Sequence, residues 1–309
     1  VTNQHNAISV RLVIQTGAVW VVLLAANFAC QRSVPQLLPL IVIAQGLWLY
    51  RFYAVAHEAS HRKLFPDHPA ANDIAGSAFM IWVWAPITVF RQIHEFHHGA
   101  NRRADGIATL DTFVVNGGRP RWTYYAVWYL MVFGAGFFLH TLISILLFLF
   151  LPKKAGKKLS PAFNSWNLRK RLVSWGEFAV SLSLHAIPWL AGGAGLWWQT
   201  LGAPILVFAW VWSVMLYIYH YDTTIGKKVQ YNTRSLPDMP FFSWLLLNFN
   251  HHSVHHNNPE IPWHELPRHQ NPQPLPVRER NQTVTNLGAA ILQQWKGPKI
   301  VVRRPDAEV

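Results

Sequence analysis

Asn248-Phe249-Asn250-His251-His252-Ser253-Val254-His255-His256 is the densest run of imidazole in the chain, and two shorter runs answer it at His57 to His61 and His94 to His98. Together the three hold nine of the 16 histidines in 309 residues. Imidazole is the commonest biological ligand for a transition metal, and it ligates in the neutral form that its ordinary pKa allows at physiological pH. On a helix, positions i, i+3 and i+4 share a face. His57 and His61 therefore point together, as do His94, His97 and His98, and so do His252, His255 and His256. A single pair at this spacing is as often two solvated side chains. Three such clusters point to metal.

Composition places the clusters in a membrane protein. Hydrophobic residues make up 51% of the chain and charged residues 13%, against about 25% charge in an average soluble domain. The formal charge of +13 does not mark a nucleic-acid binder, because the basic residues are not gathered with aromatics on one patch. Lys153, Lys154, Lys157, Lys158, Arg169, Lys170 and Arg171 form one group without an acid, and a second group follows Arg268. Basic loops beside apolar spans mark the cytoplasmic side of a membrane. The lone cysteine, Cys30, excludes an intrachain disulfide, a cysteine-held iron-sulfur cluster and a four-thiolate zinc site. Any metal must use nitrogen and oxygen.

The expected fold is an all-α integral membrane protein with about four transmembrane helices, near 10–29, 37–56, 175–198 and 205–219, the last two joined by an uncharged turn at 199–204. The first apolar run is too long for a signal peptide, whose core is about 7 to 15 residues. Segment 73–90 is expected to lie in the membrane plane, since a crossing would separate the first two clusters by about 30 Å. Segment 122–151, broken at Gly134-Ala135-Gly136, is expected to be re-entrant or surface-embedded; one crossing would put the lysine-rich loop on the wrong side. Residues 1–270 then form a membrane-embedded domain with a cytosolic histidine cap, and 271–309 a cytosolic C-terminal extension. No repeat of solenoid period is present.

Eight cluster histidines, with His251 set aside and His220 added after the last span, make nine candidate ligands, enough for two metals with four or five nitrogens each. Copper and zinc also accept imidazole, and a structural zinc needs only about four ligands. A ferritin-like carboxylate site is the closest rival, because Glu58 with His61 and Glu95 with His98 match Glu-x-x-His. The other acids do not complete it: Glu177 is alone, and Glu260 and Glu265 lie in a proline-rich segment. Glu58, Glu95, Asp222, Asn248 and Asn250 are read instead as groups that orient ligand histidines. His5, His68, His264 and His269 read as solvated, and His140 and His185 as hydrogen-bonded within apolar segments. His251 stands about 100° round from His252 and stays open.

In order and placement the boxes His57-x-x-x-His61, His94-x-x-His97-His98 and His252-x-x-His255-His256 resemble those of the membrane fatty acid desaturase superfamily. The likeness covers about residues 35–268 and includes Arg91-Gln92-Ile93-His94, His220-Tyr221-Asp222 and Pro259-Glu260-Ile261-Pro262-Trp263, which look like bacterial or acyl-lipid members. It implies two iron ions ligated by His57, His61, His94, His97, His98, His220, His252, His255 and His256. Where some animal desaturases carry an asparagine four positions before the additional histidine, this chain has Leu216, which leaves Asn248 or Asn250 for that role, or an open coordination position.

The resemblance further implies molecular oxygen as co-substrate, an external electron donor such as a ferredoxin or b5-type cytochrome, and a fatty acyl substrate linked to lipid, CoA or a carrier protein. The location it implies is a bacterial inner membrane, with the metals on the cytoplasmic side. Loss of a second hydrogen gives an alkene and rebound of oxygen an alcohol, so hydroxylase and ketolase readings stay open. Each methylene removed from water contributes about 0.8 kcal/mol, which would draw the chain into an apolar tunnel; Trp82, Trp84, Trp210 and Trp212 are candidates for its walls. A histidine-rich metal carrier is the rival of another class, but carriers place polar ligands near the bilayer midplane.

Overall fold

Two proline-punctuated apolar stretches begin the computed structural model, which describes residues 2–103, 111–115 and 120–302. Helix α1 (Thr2–Ser33) and helix α2 (Leu38–Ser60) run to 32 and 23 residues, beyond the roughly 20 needed to cross a bilayer core. Pro35 and Pro39 lie in the turn between them and in the first turn of α2, where a missing N–H costs no helical bond. Val10, Ile14, Val21 and Val22 face outward from α1, as a lipid-facing helix requires. Polar contacts fix the pair: Asn27 donates to Gln45 at 2.7 Å, and the Trp48 indole to the Thr16 carbonyl at 2.9 Å.

Helix α3 (Pro69–Met80) and helix α4 (Ile87–Ala100) meet at an angle of 96°. The corner is made by Trp84, at φ +55°, and by Pro86 just before α4. Segment 73–90, expected to lie in the membrane plane, is bent at a right angle within its length. Glu177 stabilises the start of α4, accepting from the Thr88 amide at 3.2 Å and hydroxyl at 2.9 Å. After strand β1 (Thr112–Val115), helices α5 (Arg121–Phe133) and α6 (Gly136–Phe150) are bent by 83° at Gly134 and Ala135. The short helix α7 (Lys153–Leu159) carries the lysine-rich group on an exposed surface.

Helix α8 (Leu168–Trp197) corrects the sequence reading of the last turn. The chain does not reverse at 199–204, which continues helically as a π turn at Trp198–Gly202 into helix α9 (Ala203–Leu216). It reverses at Gly192 and Gly193. In one straight helix His185 and Trp197 would be about 18 Å apart, yet the Trp197 indole donates to His185 Nδ1 at 3.1 Å. Gly193, at φ +72° and ψ −167°, occupies backbone space that is essentially glycine's alone, whereas Pro204 follows directly on the π turn and does not reverse the chain. Among the described residues three helices, or up to five if each bent pair is one span, are long and apolar enough to cross a membrane, and α1, α2, α8 and α9 form two out-and-back pairs. Their far ends meet where Asn27 donates to the Gln199 carbonyl at 3.0 Å.

At the near ends a cap of short elements closes over the bundle. His5 at the start of α1 is buried there: its Nε2 lies 2.8 Å from the Lys63 carbonyl and its Nδ1 2.8 Å from His264 Nε2. His5 and His264 are therefore paired, not solvated, a contact across 259 positions that no local pattern carries. Helix α10 (Pro240–Leu245) leads into helix α11 (His252–Asn257), and Arg51 of α2 donates to the Trp244 and Leu245 carbonyls that end α10. Helix α12 (Leu275–Asn281), helix α13 (Leu287–Gln293) and strand β2 (Lys299–Val302) wrap the same cap. Strand β2 pairs in parallel with β1, the Trp128 indole donates to the Gln294 carbonyl at 3.0 Å, and the Tyr221 hydroxyl donates to the Gly297 carbonyl at 2.6 Å. Residues 303–309 lie outside the described residues.

The reversal at Gly193 can be checked directly. Gly193→Val should lower stability by about 1 to 3 kcal/mol, because the side chain cannot adopt that backbone. Gly195→Ala, with no atom within 4 Å of the added carbon, should be neutral or slightly stabilising. Thermal unfolding of the two variants in detergent reads the difference, and equal midpoints would place the turn elsewhere.

Candidate metal centre

The three boxes arrive at one place by three routes. His57 and His61 end α2, His94, His97 and His98 occupy the last two turns of α4, and His252, His255 and His256 form half of α11. His220 follows α9 in a turn. All nine sort into two groups, His57, His61, His94, His98 and His255 in one and His97, His220, His252 and His256 in the other, with the ligand atoms of each group within 4.8 Å of one another. The Nε2 atoms face each other: His61 to His94 at 2.8 Å, His94 to His98 at 3.1 Å, His98 to His255 at 3.2 Å and His220 to His252 at 3.0 Å. The two groups share a wall where the His98 and His256 rings stack with centroids 4.2 Å apart.

This arrangement fits two metal ions. Nitrogens bound at about 2.0 to 2.1 Å to one ion stand within roughly 4 Å of each other, close to the spread seen here. Both ring nitrogens of His57 and of His256, and Nδ1 of His252, are buried with no hydrogen-bond partner among the described residues. A buried polar atom left unpaired costs about 1 to 3 kcal/mol, and a metal ion relieves that cost at the ring nitrogen it binds. The donor set is wholly imidazole, which suits iron, zinc or copper.

Burial also sets the protonation of the site. It holds His61 down to about 4, with the Lys63 and Arg91 charges adding to the effect. His220, His252, His255 and His256 are pushed well below the ordinary imidazole value, by burial first and by neighbouring histidines second. Neutral, ligating imidazole is thus favoured through the physiological range.

The orienting groups are only partly those expected. Glu58 is buried, with one oxygen 3.5 Å from His57 Nδ1 and the other accepting the Trp263 amide at 3.1 Å. Glu95 is exposed on another side of α4 and makes no hydrogen bond to a histidine among the described residues, since one step along a helix turns a side chain by about 100°. Asp222 binds Arg280 at 2.8 Å and pairs with Lys299 rather than with His220. Asn248 donates to the Trp263 carbonyl at 3.2 Å, and Asn250 donates to Asp238 at 3.0 Å. His251 lies 2.9 Å from Asp238 and outside both groups.

The sequence reading missed Asn101, the residue that ends α4, whose Nδ2 lies 2.9 Å from His220 Nδ1 and donates to the Asn232 carbonyl at 2.9 Å. It also missed Phe249, whose ring packs edge-on to His57 at 4.6 Å and against His252 at 4.6 Å. An amide three residues after the last histidine of the second box was the available signal for Asn101.

An apolar cavity of about 190 Å³ opens on the two groups, lined by Tyr50, Tyr53, Phe90, Ile93, Phe137, Trp212, Met215 and Leu216 beside His94, His97, His220 and His252. Of the expected wall residues only Trp212 takes part; Trp82 packs on Trp20, Trp84 on His185, and Trp210 is half exposed. Leu216, in the position where an asparagine ligand was sought, faces this cavity. His140 and Thr141 add its only other polar side chains apart from the tyrosines and the metal-facing histidines.

The family model described as fatty acid desaturase matches residues 33–275 of the chain. No match was found among curated proteins.

Two measurements test the centre. Asn101→Leu should lower retained metal about tenfold or more, as loss of a group behind a ligand histidine does, read as metal per chain after dialysis. In chelator-stripped protein, the unfolded chain binds protons at histidine pKa values near 6.5, while folded His61 waits until about 4. Between those values the unfolded state holds more protons, so the melting temperature should fall as pH drops from neutral towards about 5. A flat profile would mean the imidazoles are not buried as described.

Proposed function

The chain belongs to the fatty acid desaturase family, and on that premise we propose that it is an O2-dependent di-iron desaturase that introduces a carbon-carbon double bond into a fatty acyl chain. The observation that carries the reading is the apolar cavity bounded on one side by imidazoles of both metal groups. A methylene chain in that cavity would meet both groups.

His57, His61, His94, His98 and His255 would hold one iron, and His97, His220, His252 and His256 the other. Bound there, the irons would activate molecular oxygen with two external electrons and remove hydrogen from an unactivated C–H bond. The chain's own residues do the rest. Phe90, Phe137 and Trp212 supply a dry wall that excludes water and holds the acyl segment by contact alone. An enclosed apolar cavity of about 150 Å³ takes a benzene ring, so a volume of about 190 Å³ accommodates a short run of methylenes and leaves the head group outside. Asn101 and Asn232 fix the His220 ring, and Glu58 sits behind His57.

The basic groups around α7 and α8 support a cytoplasmic site in a bacterial inner membrane, with a ferredoxin or b5-type cytochrome as electron donor and lipid-, CoA- or carrier-linked acyl substrate. Residues 1–270 would then form the membrane-embedded unit and 271–309 a C-terminal extension, whose described part, to residue 302, packs on the cap.

Product analysis decides the reaction. Cells carrying the intact protein should accumulate acyl chains lighter by two hydrogens, and His97→Ala should abolish them; a gain of oxygen instead would make it a hydroxylase. Phe137→Trp, which fills the cavity, should cut turnover about tenfold or more, equivalent to at least about 1.4 kcal/mol in the barrier, with the metal content unchanged. Retained turnover would remove the cavity from the substrate path.

A further inference from the structure

A second concavity, of about 370 Å³, lies against α4 on the side away from the acyl cavity. Thr88, Arg91, Gln92 and Glu95 line it, whereas Phe90, Ile93, His94 and His97 line the other. At about 100° per residue these two sets fall on nearly opposite sides of the helix. The remaining walls come from Arg62, just after the first box, and from Asn167, Arg169, Lys170 and Val173 at the start of α8.

The charges in this cleft are arranged, not scattered. Arg91 is fixed by the Ser60 carbonyl at 3.0 Å and by Asp73 at 2.6 Å. Lys170 donates to Gln92 at 2.7 Å, and Gln92 is itself buried and bonded to the Ala162 carbonyl at 2.9 Å and the Ser165 hydroxyl at 2.7 Å. Two cations are therefore held in place by neutral or paired groups. Arg62 and Arg169 have no partner among the described residues, and Arg62 stands at φ +59°, a conformation unfavourable for a residue with a β-carbon. With Asp73 engaged by Arg91, Glu95 is the one unpaired carboxylate facing Arg62, Arg169 and Lys170. The lysines of α7, by contrast, lie exposed on a convex helix and line none of the cavities described.

We propose that this cleft binds a phosphate group. Guanidinium forks match phosphate oxygens in bidentate fashion, and two unpaired arginines beside two fixed cations provide that surface. Val173 in the cleft wall is followed along α8 by exposed apolar side chains, and Ile74 is exposed beside Asp73, so an ester chain leaving the cleft passes directly onto a lipid-facing flank. A phospholipid head group and the phosphate of a soluble carrier arm share the chemistry. Because the site is across α4 from the acyl cavity, the inference does not depend on which reaction the metals perform.

Native mass spectrometry of the full, metal-loaded protein in neutral detergent tests the site, with phosphatidylglycerol, 4′-phosphopantetheine and phosphate-free diacylglycerol as probes. One of the two phosphate probes should form a one-to-one adduct that diacylglycerol does not. The paired substitution Arg62→Ala and Arg169→Ala should weaken it about tenfold or more, the scale of one lost charge-assisted bond, and Glu95→Gln should tighten it. Replacing the four α7 lysines by alanine should leave it unchanged. Phosphatidylglycerol behaving this way assigns the ligand to the membrane, and phosphopantetheine assigns it to a soluble carrier. No adduct with either, an adduct indifferent to the arginine pair, or one that follows the α7 lysines overturns the proposal. Unchanged melting temperature and metal content in the variants show that folding is intact.

Discussion

Nitrogen lone pairs from nine imidazoles are turned inward on one another in a space from which water is largely excluded, and the rest of the molecule is arranged to keep them so. Left alone, such a cluster opposes folding. Each unpaired buried nitrogen costs about 1 to 3 kcal/mol, and His57, His252 and His256 contribute several. Neither protonation nor hydration offers an easy escape, since burial disfavours charge there. The apolar packing of the long helices and the bonds around the cluster must therefore hold it in place, and a bound metal ion would remove much of the cost.

Each box is held from outside by a different device. The first continues a membrane span, so its geometry is that of α2 itself. The second depends on the right-angle corner at Trp84 and on Glu177, which reaches from α8 to accept the Thr88 amide and hydroxyl at the start of α4. The third follows two left-handed residues, Leu247 at φ +53° and Asn248 at φ +56°, and such residues persist only where their surroundings fix them. Arg51 does this by ending α10 with its guanidinium, stacked 4.5 Å from the Trp244 ring. His220 has no helix of its own and relies on Asn101 and Asn232.

What the sequence reveals and conceals follows the range of the interaction. The histidine groups that could hold metal are written in i, i+3, i+4 spacing, a local property of a helix, and so their shared faces could be read without the fold. The break at Gly134 and Ala135 was legible for the same reason. The reversal before α9 was not: a proline and an uncharged stretch at 199–204 outweighed two glycines, although only Gly193 has a backbone that enforces a turn. The pairing of His5 with His264 and the hold of Asn101 on His220 join residues 259 and 119 positions apart, and no periodicity encodes them. Glu95 misled because Glu-x-x-His is a local match whose meaning depends on what faces the carboxylate.

Helix α4 separates two environments that would interfere if merged. Towards the acyl cavity it presents Phe90 and Ile93, where a fixed cation would attract water and spoil a dry contact with a methylene chain; on the reverse side it carries Arg91. Distance does not isolate that charge from the centre. Arg91 and Lys63 act together with burial to depress the His61 pKa, and a ligand that must stay unprotonated gains from a nearby positive field. Arg91 of the cleft therefore acts on the histidine cluster electrostatically while α4 keeps it out of the apolar space. Such a division of labour requires a helix with chemistry on both sides, and α4 lines the apolar cavity with one face and the charged cleft with the other.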